Sequence, residues 1–207
     1  MKRSLEDHAT RFDEKAAEYD GDKSEEYNAA VSLVVEHAAP GPDDTVLDVG
    51  TGTGAIALAL AADAGRVIGR DISEGMLSEA REKATARNLD TVSFGQGRFR
   101  EPNVPDDAEV DIVTSNFAMH HLSDEEKREA IATLAALGPR RIVLGDVMFF
   151  GEPDPSDPFY SPDVDDPATV GLLVDAFTDE GYAVTAVEYV HDQVGVLVAE
   201  RLEGSGR

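Results

Sequence analysis

The chain has 207 residues, room for one domain with a sizeable core. It carries 42 Asp and Glu against 18 Lys and Arg, a formal net charge of −24, yet 42% of its residues are hydrophobic, so it reads as a folded globule and not as a disordered acidic chain. That charge disfavours nucleic acid and anionic membrane as partners, no apolar run reaches the roughly 18 residues of a membrane span, and the lack of cysteine excludes disulfides, thiol catalysis and thiolate metal sites.

In chain order, Ser4 to Tyr19 reads as a helix with Phe12, Ala16 and Tyr19 along one apolar stripe. A second helix runs from Ser24 to His37, with Val31, Val34 and Val35 as its core face, and Pro40 and Pro42 close it. The stretch Val46 to Gly54, V-L-D-V-G-T-G-T-G, reads as a buried parallel strand and a tight turn, followed by a helix over Ala55 to Ala62. Gly50, Gly52 and Gly54 let a ligand lie against the backbone. The helix that follows turns free N–H groups towards that spot, which favours a carboxylate or phosphate. Asp48, at the strand end, suits a ligand ammonium or hydroxyl. The dinucleotide fingerprint is formally met by Gly50, Gly52 and Ala55.

A second strand, within residues 66 to 73, ends in Asp71, at the spacing of an acid that bridges ribose hydroxyls. A helix over Glu74 to Asn88 and a third strand over Thr91 to Gln96 follow. The fourth strand, Val110 to Ser115, leads into the loop N-F-A-M-H-H-L, and Ser123 with Glu126 forms a capping box for a helix to about Leu137. Arg141 to Phe149 is the fifth strand. Residues 151 to 167 hold five prolines and six acids in 17 positions, which excludes regular structure. This loop is either a lid, with Phe149, Phe150, Phe159 and Tyr160 walling off a ligand, or an acidic surface loop. Ala168 to Glu180 is amphipathic, with Val170, Leu173, Val174 and Phe177 inward. Tyr182 to Val190 and Val194 to Glu200 are joined by three residues, too few to cross over, so they pair antiparallel.

D-V-G-T-G-T-G closely resembles motif I, and V-D-I-V-T-S-N-F-A-M-H-H-L motif IV, of class I S-adenosylmethionine-dependent methyltransferases of the small-molecule and quinone-methyltransferase type. R-F-D-E-K-A-A-E-Y-D and D-I-S-E-G-M-L resemble that family more loosely, and the likeness extends over about residues 10 to 200. It implies an α/β, Rossmann-like three-layer sandwich whose seven-stranded, mostly parallel sheet has the order 3-2-1-4-5-7-6, with a C-terminal antiparallel hairpin. The single domain would be residues 1–203: a helical N-terminal cap over 1–40, a core over 41–203 with the 150–167 loop beside the site, and a tail at 204–207.

The resemblance further implies S-adenosylmethionine as cofactor and methyl transfer by in-line displacement to a small-molecule acceptor. Gly50, Gly52 and Gly54 would follow the homocysteine moiety, Asp48 its amino group and Asp71 the ribose. Ile72, Met76 and backbone atoms of Gly97 and Phe99 would touch the adenine. Tyr19 would reach over the cofactor, and Asn116 would fix cofactor or acceptor. His120 or His121 would act as a general base. Where the family shows Gly-Asp after strand three, this chain has Gly97-Arg98, and a guanidinium does not accept a hydrogen bond from an adenine amino group. An NAD-dependent oxidoreductase and a non-catalytic S-adenosylmethionine-binding protein are the competing readings, and no metal site is expected. The dispersed acids and scarce Lys resemble the proteins of extreme halophiles, where molar salt screens self-repulsion. The opening M-K-R-S-L-E-D lacks a signal-peptide core, so a cytoplasmic protein is expected.

Overall fold

Five apolar runs build the parallel part of the sheet in a computed structural model that describes residues 5–21, 23–152 and 158–202. They are β1 (Thr45–Val49), β2 (Arg66–Asp71), β3 (Val92–Gln96), β4 (Ile112–Asn116) and β5 (Arg141–Phe149). Neighbouring residues on these strands go to opposite faces. Leu47, Val113 and Leu144 join one apolar cluster, and Val46, Ile112 and Val143 the other. Both faces are therefore covered, as a parallel sheet requires. The first cluster includes Ile131 and Leu134 of α5 (Asp124–Ala136) and Leu173 and Phe177 of α6 (Val170–Asp179). The second includes Ala30 and Val34 of α2 (Glu25–Ala38) and Ile56 and Leu60 of α3 (Ala55–Leu60). The result is a three-layer sandwich.

The sheet closes with an antiparallel hairpin of β7 (Tyr182–His191) and β8 (Val194–Arg201), and β8 lies against β5. The order β3-β2-β1-β4-β5-β8-β7 is the expected one apart from an eighth strand. This β6 (Ala168–Thr169) pairs parallel with Met148 and Phe149. The expected helix start at Ala168 is thus displaced by two residues, and Thr169 becomes the N-cap of α6, its hydroxyl accepting from the Leu172 amide.

The Ser123–Glu126 capping box of α5 is present. Other boundaries shift for local reasons. The first helix stops early: α1 (Leu5–Lys15) gives way to a 3-10 turn over Ala16–Glu18. α3 ends at Leu60, where the amides of Asp63 and Ala64 fold back on the Leu60 carbonyl. α4 (Glu74–Ala86) is followed by Asn88 at φ 55°, a left-handed stop. The tail at 204–207 and residues 153–157 of the long loop lie outside the described residues. Among the described residues no helix is long and apolar enough to cross a membrane.

Candidate active site

β1 and β4 are neighbours at the point where the strand order reverses, and ligands of open α/β sheets bind beyond the carboxyl ends of such strands. A cavity of ≈ 350 Å³ lies there, within the roughly 300–1,000 Å³ of small-molecule sites. Its walls include Tyr19, Asp48, Gly50, Gly52, Asp71, Ile72, Met76, Asn116 and His121, which come from four separate segments of the chain.

The turn after β1 is held by the acid at the end of β2. Asp71 accepts from the Gly52 amide at 2.8 Å with one oxygen and from the Ser73 amide at 3.0 Å with the other. Gly50, at φ 72°, leaves no room for a side chain: an added Cβ would stand 2.4 Å from that of Ala118. The loop after β4 therefore presses directly on the turn. Gly54, at φ 89°, faces the other way, where an added Cβ would meet Leu58 at 3.1 Å. It serves the turn and the packing of α3 and does not line the cavity.

Asp48 is 1% exposed and accepts from the hydroxyls of Thr51 at 2.6 Å and Thr114 at 2.9 Å. Burial pushes its carboxyl from 3.8 up to about 6, against the two hydroxyl bonds, with Asp71 adding repulsion. Burial also raises Asp71, against the backbone amides it accepts from. No described Lys or Arg forms an ion pair with either acid. The two arginines on the wall are spent elsewhere, Arg98 on Glu101 at 2.8 Å and Arg100 on Glu129 at 2.8 Å and Glu126 at 3.2 Å. The floor is thus a pair of buried, uncompensated carboxyls, suited to a cation rich in N–H and O–H donors.

Asn116, the last residue of β4, is 9% exposed, and neither its amide nitrogen nor its amide oxygen has a partner. A buried amide normally has one, and this side chain lies on the cavity wall. The next residue, Phe117, takes φ 51° and is held there by the hydrogen bond that its N–H donates to the Gly145 carbonyl at 2.9 Å.

The N-terminal segment closes the cavity. His8, Phe12, Tyr19 and Tyr27 line it. Burial and the nearby Asp71 and Asp20 push the Tyr19 phenol up to about 12, and the Lys23 ammonium stands 3.0 Å from the Tyr19 ring centroid. Of these, only Tyr19 was assigned to the site by the sequence, while the Phe12–Tyr19 stripe carried the signal for Phe12. His8 and Tyr27 had none. The aromatics in and beside the long loop go elsewhere. Phe149 packs on Tyr160 at 5.6 Å, Phe150 on Tyr189 at 5.1 Å, and Phe159 on the Phe117 ring at 6.3 Å, and none lines the cavity.

The two histidines separate. His120 turns away from the cavity, is 8% exposed and pairs through Nδ1 with Asp146 at 2.5 Å. Burial opposes its charge, but Asp146 and Asp165 hold its pKa above the ordinary histidine value. His121 is on the wall, with Nδ1 on Asp165 at 2.7 Å. Burial and the charge on His120 lower its pKa, against the hydrogen bond accepted by Asp165. Gly97 is off the wall, its amide donated to the Asp71 carbonyl at 3.0 Å, whereas Arg98 and Phe99 are on it.

A methyltransferase-domain family model matches residues 46–137, which run from β1 to the end of α5. An uncharacterised methyltransferase of Staphylococcus carnosus is 32% identical over 149 residues, 68% of each chain. One from a Geobacillus species is 33% identical over 147 residues, 70% of this chain but just under two thirds, 66%, of its own length. Magnesium protoporphyrin IX methyltransferase from Synechocystis, solved with S-adenosylhomocysteine bound, shares the fold at 20% identity, with a TM-score of 0.74 over 96% of this chain and all of the other. With the strand order, the Gly turn and its two acids all in place, the chain belongs to the family of S-adenosylmethionine-dependent methyltransferases.

Proposed function

We propose that the cavity binds S-adenosylmethionine and that the protein transfers its methyl group to a small, largely apolar acceptor. The observation that carries this reading is the buried acid pair Asp48 and Asp71, without a cationic partner. S-adenosylmethionine brings an ammonium, a sulfonium and ribose hydroxyls, all complementary to such a floor, and it supplies an activated methyl for in-line transfer. A dinucleotide would bring a pyrophosphate to the same acids. The six residues of α3 and the paired arginines offer little to hold it.

Within this reading Asp48 takes the ammonium and Asp71 the ribose hydroxyls, while Gly50 and Gly52 let the chain of the cofactor run along the turn. Gly54 supports that path from behind. Ile72 and Met76 face the adenine, with Phe99 beside them in place of the family's acid, and Arg98 is free of any role in accepting a hydrogen bond. Gly97 contributes by fixing Asp71. The orphaned amide of Asn116 gains its partners from the ligand. Tyr19 and Phe12 exclude water above it, and alignment and desolvation supply most of the rate. The acceptor end is bounded by Phe117, Leu122 and His121, and the absence of a basic stripe fits a metabolite better than a nucleic acid. The acidic composition is an adaptation to a saline interior of the cell.

Calorimetric titration in molar KCl tests the reading directly. S-adenosylhomocysteine should bind at micromolar concentration and NADH should not. Binding of NADH alone would overturn the proposal, and binding of neither would leave a protein that has kept the fold and lost the site.

A further inference from the structure

We propose that Asp165 is a positioning residue that holds His121 with its Nδ1 protonated and its Nε2 open to the cavity, so that His121 takes a proton from a hydroxylic acceptor as that acceptor is methylated. This inference rests on the methyltransferase reading and names the class of acceptor for it.

The geometry is built from three segments. His121 closes the 3-10 turn Met119–His121 that follows β4. Asp165 belongs to the Pro- and Asp-rich loop, 44 residues further on, and its Oδ1 lies 2.7 Å from His121 Nδ1. Its Oδ2 accepts from the Ser161 amide at 2.8 Å, so the carboxylate is fixed at both ends. The loop itself is strapped to the histidine turn. The Asp166 amide donates to the His120 carbonyl at 2.7 Å. The buried Lys127 ammonium, on α5, donates both to the Leu122 carbonyl at 2.6 Å and to the Asp166 carbonyl. A lysine with its side chain 2% exposed is costly to bury, and here it ties together the two segments that carry His121 and Asp165.

A carboxylate at Nδ1 fixes the tautomer, because it accepts only from an N–H. The lone pair is then on Nε2, to which no described residue is bonded, and His121 lines the cavity. The charged and titratable groups around the ring are Asp165 from the loop, His120 beside it at 4.1 Å between centroids, Asp146 from β5 and His8 from α1 at 5.0 Å. The ring is also packed by Phe12 at 5.6 Å. Burial and the neighbouring His120 lower the pKa of His121 and so favour the neutral ring, which is the form that accepts a proton. An acceptor that needs this device is one that must lose a proton, and the apolar walls of Phe12, Phe117 and Leu122 suit a hydroxyl carried on an apolar body. The proton passes from the acceptor oxygen to Nε2 and then to solvent, and the O–H electron pair stays on that oxygen. An oxygen lone pair would form the new C–O bond to the methyl carbon, while the C–S bond would break with its electron pair leaving on sulfur as S-adenosylhomocysteine. A cation is the rival use of the same residues, since His120 Nε2 is 4.0 Å from the Asp165 oxygen and the three side chains cluster.

The test needs no acceptor. Long-range ¹H–¹⁵N spectra of the histidine-labelled protein with bound S-adenosylhomocysteine report which nitrogen carries the proton, and His121→Gln assigns the signal. His121 should be the Nδ1–H tautomer in the parent protein. Asp165→Asn should give a mixture of tautomers with unchanged affinity for S-adenosylhomocysteine, and Lys127→Met a smaller change in the same direction. An Nε2–H tautomer in the parent, no change in Asp165→Asn, or displacement of the Nδ1 proton by one equivalent of Zn²⁺ or Mn²⁺ would each overturn the proposal. If S-adenosylhomocysteine fails to bind the parent protein, the methyltransferase reading fails instead, and the tautomer of His121 is still measured.

Discussion

Asp48 carries a stability cost at neutral pH. Its folded-state carboxyl is raised from 3.8 to about 6 by burial. The folded protein therefore holds this proton more tightly than the unfolded chain. The group's contribution is neutral below the unfolded pKa, turns unfavourable as pH rises from about 4 to 6, and is fully unfavourable above that. Two pKa units correspond to roughly 3 kcal/mol. Asp48→Asn keeps the shape and can still bond the two threonine hydroxyls, so its stability relative to the parent should rise by about 2–3 kcal/mol between pH 4 and pH 8. It should also lose about tenfold or more in affinity for S-adenosylhomocysteine, because the ammonium loses its counter-charge. Denaturant unfolding at the two pH values and calorimetry check both halves. A variant no more stable at pH 8 than at pH 4, relative to the parent, would show that Asp48 is not held above its usual range. Asp48 was visible from the sequence because a strand-end acid two residues before a Gly turn is a local pattern. Its desolvation was not, because Thr114 is contributed by β4, 66 residues away.

At the scale of elements, the cavity depends on how α1 is docked. Asp13, on that helix, accepts from the Ser73 hydroxyl at 2.5 Å and from the Gly75 amide at 2.9 Å. It thereby shares the capping of α4, whose N-cap is Ser73. Asp20 adds a second tie, accepting from the Thr53 hydroxyl at 2.7 Å and pairing with Lys83 of α4. A cap is worth about 1 kcal/mol. Asp13→Ala should therefore speed amide exchange over residues 5–21 several-fold while leaving β1 and β4 protected, and weaken S-adenosylhomocysteine binding by a similar factor. Equal exchange in the two proteins would mean that α1 is held by its apolar face alone. This capping links residues some 60 positions apart, which no periodicity reveals. The same limit hid Asp165, the 3-10 turn at Ala16–Glu18 and the two-residue β6, each set by what the segment meets in space. The five parallel strands, the terminal hairpin and the capping box of α5 were legible because each is written within its own ten or so residues. For the converse reason the sequence left the aromatics around the long loop open between two uses: a hydrophobic pair near a site in sequence can be satisfied by its own partners, as Phe149 and Tyr160 pack on each other.

For the whole molecule the decisive quantity is charge. With 42 acids and 18 bases, pairing every base with one acid would still leave 24 acids unpaired. Many of the pairs that do form are exposed, such as Arg128 with Asp179 and Arg66 with Asp107, and each is worth about 0–1 kcal/mol. Salt acts on both terms. The screening length falls from about 10 Å at 0.1 M to about 3 Å at 1 M, so salt weakens the pairs by a few tenths of a kcal/mol each and removes the longer-range repulsion among the surplus acids. Repulsion outnumbers attraction here, so the net effect of salt is stabilising. A gain of several kcal/mol is on the order of 10 °C in Tm for a chain of this length. Thermal unfolding between 0.1 and 2 M KCl should show a rise of that order. NaCl should match KCl, since the term is screening and not a specific ion site. A Tm that is flat or falls over this range would mean that local ion pairs govern the surface, and the acidic composition would then need an explanation other than salt.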